Sequence, residues 1–468
     1  MKFFICDDEK KFKNRSYESF GKWRFYVDAQ VRVRRSNDHL VLYAGYTLDR
    51  PIEEHVESFT SFESANGNFF AIKLTKDDYF VALDYFSNHK VCYSTKYGIE
   101  ITNYVPFLTI APSDVRDSIK PYSLFEREYD SEAKQIFSHI KTIVPNYHYQ
   151  RHAKHALLEE KWNDPDELAE HVHYCMLHHA RLIKELYADR YISLSDGIDS
   201  VLQSCYFFED KQYIYSIDDC KAGEEGIKWK KLAASRFPNV QFDIWKSADA
   251  AENTRKYLND PSTRGYTQLP TMKYLADCEK KPDICLFGVN GNEFSFRDLY
   301  PQLLFRFLHF YETEKLSREK ALDKTREFHR ANTHRYGADY SMGDVNTTES
   351  LWTDFKKMYI NGKDHKQIRK SLHLLMSPKY YNRALSSNND IMVASLFNDR
   401  RIYHEVFKLK NEHLLNSEIM DAPIFRKILT DKFSHKFETP FKDAMYADYD
   451  VIFKNLFKVA NSCSETIL

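Results

Sequence analysis

Ser193-Leu194-Ser195-Asp196-Gly197-Ile198-Asp199-Ser200 stands between a short apolar run, Tyr191-Ile192, and a helix-like run from Val201 to Phe208. A strand feeding a loop of small polar residues that opens a helix is an anion-binding arrangement. The loop N–H groups converge on the anion and the helix N-terminus adds partial positive charge. The same octapeptide also reads as a plain strand-to-helix turn capped by Asp199 or Ser200. What surrounds it decides between the two.

Downstream the pattern alternates. Tyr213-Ile214-Tyr215-Ser216-Ile217 reads as a strand, Gly226 to Phe237 as a helix, Val240 to Trp245 and Ile284 to Gly288 as further strands. Strand–helix alternation predicts a parallel sheet with helices on its faces. From Tyr300 onward the chain reads as mostly helical. Upstream, Asn163-Asp164-Pro165-Asp166-Glu167 has an Asp cap followed by Pro at the first turn, the signature of a helix start. Leu168, Val172, Cys175, Met176, Leu182, Ile183 and Leu186 follow at helical spacing. The first 150 or so residues read instead as hairpins: Val31–Arg34 with Leu40–Tyr43, Phe69–Leu74 with Tyr79–Asp84, and Lys90–Ser94 with Ile99–Thr102 around Gly98. A boundary is expected near 150–165.

The chain has 468 residues, 43% of them hydrophobic, which is enough for two or three domains with sizeable cores. Its net charge is −1, with 67 basic and 68 acidic side chains, so it carries no electrostatic footprint for nucleic acid or an anionic membrane. The eight cysteines form no CxxC pair and no metal-ligand spacing. Reduced thiols in a cytoplasmic protein are expected. The start, Met-Lys-Phe-Phe-Ile-Cys-Asp-Asp, turns acidic too soon for a signal peptide, and no run of 18 apolar residues would span a membrane.

A second constellation follows the strand at 284–287: Gly288-Val289-Asn290-Gly291-Asn292-Glu293. Together the two resemble the asparagine synthetase family. Ser195, Gly197, Asp199 and Ser200 fit the SGGxDS loop of the ATP pyrophosphatases, and Leu286, Gly288 and Glu293 fit LSGEGSDE. Other segments fall in the same order as in that family. Glu224-Glu225 with Lys230 to Ala234 resembles its "DE…A…VA" helix, Ser395 to Arg400 its "PFLD-R" stretch, and Ile424 to Leu429 its "KYLLREAL". Lys432 to Pro440 resembles "RPKKGFGVP", which carries a lysine near pyrophosphate. Gly67 to Ile72 and Val81 to Phe86 resemble "GMFAFAIWD" and "LARDRFG", and Lys141 to Asn146 the end of a glutaminase domain.

The resemblance implies an α/β protein in two parts. Residues 1–155 would form a degenerate, Ntn-hydrolase-like αββα domain. Residues 160–468 would form a parallel-sheet ATP-pyrophosphatase domain, adenine nucleotide α-hydrolase-like, with a helical tail. The glutaminase nucleophile of this class is a cysteine at residue 2, exposed by removal of Met1, and here residue 2 is Lys2, with Cys6 inside the first strand. The same loss marks β-lactam synthetases and lasso-peptide cyclases, which adenylate a carboxylate and close an amide without glutamine.

The implied reaction is therefore ATP-dependent amide formation from a small-molecule or peptide carboxylate and ammonia or an amine, with Mg²⁺. The alternative is a silent scaffold or regulatory binding protein on the same fold. The implied cofactor-binding residues are Ser193, Ser195, Asp196, Gly197, Asp199, Ser200, Ser216, Ile217, Gly288 and Asn292. Asp199 is the implied metal ligand, with Asp196 replacing the carboxylate that Asn292 lacks. Glu293, Lys436 and Lys432 are the implied catalytic residues, the two lysines being alternatives for the pyrophosphate contact. Neither nucleic acid nor membrane is an expected partner, and the oligomeric state stays open, a homodimer included. The cluster His171, His173, His178 and His179 is read as an exposed polar helix face and not as a metal site. Lys228, Lys230 and Lys231 are read as the solvated side of an amphipathic helix, and Arg32, Arg34 and Arg35 as sheet surface.

Overall fold

The alternating side chains of one strand reveal the layering of the first 143 residues. Strand β5, His39–Thr47, buries nearly every residue, yet its two faces belong to different cores. Leu40, Leu42 and Ala44 join Phe3, Ile5, Trp23 and Phe25. Val41 and Tyr43 join Ile52, Val56 and Phe62. A strand covered on both faces reads as a continuous apolar run, which is why Leu40–Tyr43 shows no polar alternation.

A computed structural model describes residues 1–12, 15–86, 89–115, 137–143, 160–217, 223–245, 256, 274–288, 291, 307, 310–311, 314–327, 391–406, 408–410, 413 and 422–435. Among these, a six-stranded antiparallel sheet is formed by β1 (Phe3–Cys6), β2 (Glu18–Phe20), β3 (Trp23–Val27), β8 (Cys92–Ser94), β9 (Glu100–Thr102) and β10 (Lys141–Thr142), in the order β10-β8-β9-β1-β3-β2. A four-stranded antiparallel sheet runs β4-β5-β6-β7, with β4 at Arg32–Arg35, β6 at Gly67–Thr75 and β7 at Tyr79–Leu83. The sheets meet face to face through rings such as Phe3 and Phe70, 5.1 Å apart. Helix α1 (Ile52–Glu57) covers the outer face of the smaller sheet, and Val105, Leu108, Ile110, Phe137 and Ile140 cover that of the larger. The three expected hairpins are present. β4 is a fully exposed edge strand whose arginines pair with Glu53, Glu57 and Glu18, as sheet surface should.

Helix α2 (Pro165–Leu186) starts where its cap predicts: the Asp164 carboxylate accepts from the N–H groups of Asp166 and Glu167 at 2.8 and 2.9 Å, with Pro165 at the first position. It leads into a five-stranded, wholly parallel sheet. The strands are β11 (Arg190–Ser193), β12 (Gln212–Ile217), β13 (Val240–Trp245), β14 (Ile284–Leu286) and β15 (Met392–Ala394). Their order is β13-β12-β11-β14-β15. Helix α3 (Ile198–Cys205) follows β11 and α4 (Gly223–Ala234) follows β12. The last described part contributes α5 (Arg400–Val406) and α6 (Pro423–Phe433).

Two expectations need correction. The histidines of α2 do not form an exposed face. His179 is fully buried, and His171, His173 and His178 are half-buried against Trp162, Tyr206 and Arg401. Among the described residues no three His, Cys, Asp or Glu side chains converge on a metal position. Lys230 is not solvated: it is 4% exposed, and its ammonium donates to the Tyr215 carbonyl at 2.8 Å. Among the described residues after Tyr300, β15 stands beside the helices and completes the parallel sheet, a strand the sequence reading did not mark. Three residues are too few for a periodic signal.

Candidate nucleotide site

The order of the parallel sheet creates the site. The chain builds outward from β11 to β12 and β13, then returns to the other side of β11 to lay down β14 and β15. The loops after β11 and β14 therefore leave the carboxyl ends of adjacent strands in opposite directions. The crevice between such loops is where open α/β sheets bind ligands. Ile192 sits beside Leu286 in the register, so the segments that follow them, from 194 and from 287, begin level with each other.

Contact between the two constellations is direct. A Cβ on Gly288 would lie 2.6 Å from both Cα and N of Ser200 and 3.0 Å from the Asp199 carbonyl carbon, all backbone. A Cβ on Gly291 would lie 2.5 Å from Cγ of Asp199 and 2.6 Å from its Cβ. Only glycine allows the turn after β14 to come this close to the first turn of α3. Gly291 is a site residue that the sequence reading quoted but did not single out. Its signal was the second glycine three residues after the first.

Within the loop, hydroxyls satisfy the backbone. Ser195 N–H donates to Ser200 Oγ at 2.9 Å and the two hydroxyls meet at 2.6 Å. Gly197 N–H donates to Ser195 Oγ at 3.1 Å, and Ser200 Oγ lies 3.1 Å from the Gly197 carbonyl. Helix α3 starts one turn earlier than the apolar run from Val201 suggests. Its cap is Gly197, with no side-chain cap bond, in place of Asp199 or Ser200. The positive end of the helix dipole thus lies at the loop.

Two carboxylates lie here. Asp196 is 8% exposed and Asp199 6%. Oδ1 of Asp196 is buried and accepts no hydrogen bond from a described residue. Such an oxygen is costly to desolvate without a donor or a cation. Nor does Asp196 strain the loop where the resembled motif has glycine. Among the described residues the left-handed non-glycine positions are Lys315, Ala422 and Ser434, so position 196 never required glycine's freedom.

No protein-family model matches this chain, and no curated protein matches it.

The remaining candidates divide. Ser193 ends β11, and Ser216, 2% exposed, lies on β12 one residue before its last, Ile217. These sit on the strand next to the loop, at the same edge of the sheet. Lys432 is not drawn to the loop. It lies on α6, and its ammonium is 2.7 Å from Glu170 Oε1 of α2. Asn292, Glu293 and Lys436 fall outside the described residues.

The thiol of Cys6 is not poised to react. Cys6 lies within β1, buried, and its thiol is 3.1 Å from the Asp8 carbonyl. Burial pushes it up to about 11, so little thiolate forms at neutral pH. The Met1 ammonium is 2.8 Å from the Asp28 carboxylate, and Asn103 ties down Met1 O and Phe3 N–H at 2.7 and 3.0 Å. The six described cysteines are all free thiols. Among the described residues no helix is long and apolar enough to cross a membrane.

Proposed function

We propose that this protein is an ATP-dependent amide-forming ligase of the asparagine-synthetase type, working without a glutaminase. One observation carries the reading. Two motifs some ninety residues apart, each resembling a nucleotide-site motif of one family, meet at the switch point of a parallel sheet, glycine against helix N-terminus. In this reading residues 1–155 are a degenerate Ntn-type αββα domain and residues 160–468 an ATP-pyrophosphatase domain. The chain works in the cytoplasm, as a monomer or homodimer, on a small-molecule or peptide carboxylate, with no nucleic acid or membrane partner.

The chemistry assigns roles as follows. Ser193, Ser195, Gly197 and Ser200, with Gly288 and Asn292, surround the polyphosphate of ATP, and Ser216 and Ile217 line the adenosine side. The substrate carboxylate attacks the α-phosphorus. The bond to the β-phosphate oxygen breaks, and pyrophosphate leaves against the N-terminus of α3 and Lys436, or Lys432 after it swings from Glu170. Ammonia or an amine then attacks the acyl carbon, Glu293 takes the proton, and AMP departs. Asp199 and Asp196 fit a magnesium ion bound with ATP, since such ions take one or two protein carboxylates beside phosphate oxygens. When bound, the ion offsets charge on the departing pyrophosphate. The partnerless Oδ1 of Asp196 supports that assignment.

A silent scaffold is the second reading. It is favoured by the closed bonding of the loop: the N–H groups of Ser195 and Gly197 are already engaged by hydroxyls at 2.9 and 3.1 Å. Calorimetry with Mg²⁺·ATP, together with AMP release over a panel of carboxylates, separates the two. The ligase reading expects binding that Asp199→Ala abolishes, AMP formation, and no glutamate from added glutamine. Absence of binding at millimolar ATP by the folded protein sinks it in favour of the scaffold.

A further inference from the structure

The antiparallel layer holds the parallel sheet through a short set of buried polar bonds. Asn68, the second residue of β6, donates from Nδ2 to the Val393 carbonyl of β15 at 2.6 Å. Asn66, two residues earlier, donates to Asp399 Oδ1 at 2.8 Å and accepts from the Arg400 N–H at 3.1 Å. Tyr46 of β5 meets His179 Nε2 of α2 at 2.7 Å, and His179 Nδ1 lies 3.4 Å from the Leu396 carbonyl. The Asp399 carboxylate is wholly buried and is kept charged by Arg401, whose Nε lies 3.0 and 3.1 Å from its two oxygens. Segment 393–401 is thus gripped from the antiparallel side at Val393, Asp399 and Arg400, and at Leu396 through His179 of α2, which Tyr46 meets.

That segment also grips the nucleotide loop. Leu396 N–H donates to Gln203 Oε1 at 3.0 Å. Gln203 is fully buried on α3, one turn beyond Asp199 and Ser200. The other ends of these amides are unsatisfied: Asn68 Oδ1 and Gln203 Nε2 are buried with no hydrogen bond from described residues. A half-satisfied buried amide lowers stability relative to an apolar residue of the same shape. Bonds held at such a cost specify a position, because packing alone would be cheaper with leucine or methionine.

We infer that Asn66, Asn68 and Gln203 are positioning residues for the nucleotide loop. The antiparallel layer serves as a latch that sets segment 393–401, and through Gln203 fixes how far α3 projects Asp199 and Ser200 into the crevice. The inference rests on the reading of 194–200 as a nucleotide site, but its geometric half stands apart from it. The latch predicts selective loosening: loss of one bond frees the loop while the antiparallel ladder stays intact.

The test uses the full chain with Asn66→Ala, Asn68→Ala and the near-isosteric Gln203→Met, which keeps the fold if the alanine variants do not. Amide hydrogen exchange at 195–201 is compared with that in the β5–β6 ladder, and Mg²⁺·ATP affinity is measured by calorimetry. Exchange in the loop is expected to rise about tenfold and Kd to rise about five- to tenfold, the effect of one lost buried hydrogen bond, with ladder protection unchanged. Loop exchange and Kd that match wild type overturn the latch and leave the ligase reading intact. Ladder protection that falls in step with the loop also overturns it, since the amides then serve stability alone. A wild-type protein that binds no ATP, with loop exchange still raised in the variants, removes the ligase reading and keeps the latch.

Discussion

At the scale of single residues, the site depends on two missing side chains. Gly288 faces backbone atoms of Ser200 and Asp199, and Gly291 faces Cβ and Cγ of Asp199; neither backbone nor Cβ can turn aside, but only the second contact also displaces a carboxylate. The two alanine substitutions should therefore behave differently. Gly288→Ala is expected to cost about 1–3 kcal/mol in urea denaturation, the usual penalty for overpacking. Gly291→Ala should cost a similar amount, because Cβ of Asp199 is fixed by the backbone of α3, and should in addition push the carboxylate aside, so that Mg²⁺·ATP affinity falls further than in Gly288→Ala. Equal Mg²⁺·ATP affinity in the two variants would show that the Asp199 carboxylate is not displaced. At this scale the sequence was legible where a residue type has few uses. Asp199, Ser200 and Gly288 come together as their motifs imply. Lys230 was not legible, since a lysine between Lys228 and Lys231 gives no sign that one of the three turns inward to a strand carbonyl.

Elements were legible in proportion to their length and their punctuation. Asp164-Pro165 marked the start of α2, and the turn after Ser193 marked the end of β11. The polar face of α2 misled because the helix is covered from several sides: α5 and α6 pack on it, and Tyr46 reaches it from β5. Histidine fits such positions since the neutral ring can be buried with a partner. Burial pushes His179 of α2 and His404 of α5 both down to about 4 from an ordinary 6.5. Below 6.5 the unfolded chain takes up protons that the folded chain refuses, so stability falls as pH drops from 6.5 toward 4. By about pH 5 the loss is roughly 2 kcal/mol for each ring. Below the ordinary carboxylate value, protonation of Asp399, held low by Arg401 against the effect of burial, adds to it. Urea midpoints at pH 7.5 and 5 should therefore differ in the wild type and differ less in His179→Phe. A variant with the full wild-type difference would place the acid sensitivity elsewhere.

Across the whole molecule, one apolar cluster runs from Phe3, Trp23 and Phe70 of the antiparallel sheets through α2 to Leu286 and Ala394 of the parallel sheet. The layers share a core and a set of buried polar bonds, so calorimetry should show one unfolding transition, with calorimetric and van't Hoff enthalpies in agreement. Two resolved transitions would mean that the sheets unfold separately and that the shared core contributes little. The sequence showed a β-rich start and an alternating continuation, but nothing in it showed that Asn66 and Asn68 would bond to residues more than three hundred positions later. Pairings of that separation leave no local pattern. A last consequence concerns the aromatic layer just beneath the crevice. Tyr191 of β11 and Tyr213 of β12 stack with ring centroids 4.3 Å apart and planes within 7°, and the Tyr274 hydroxyl bonds that of Tyr213 at 2.7 Å. Each ring lies over the face of the other, so the ring current of one shields the aromatic protons of its partner and moves their resonances upfield. The chain thus carries its own magnetic gauge of strand alignment below the loop, readable in solution by proton resonance.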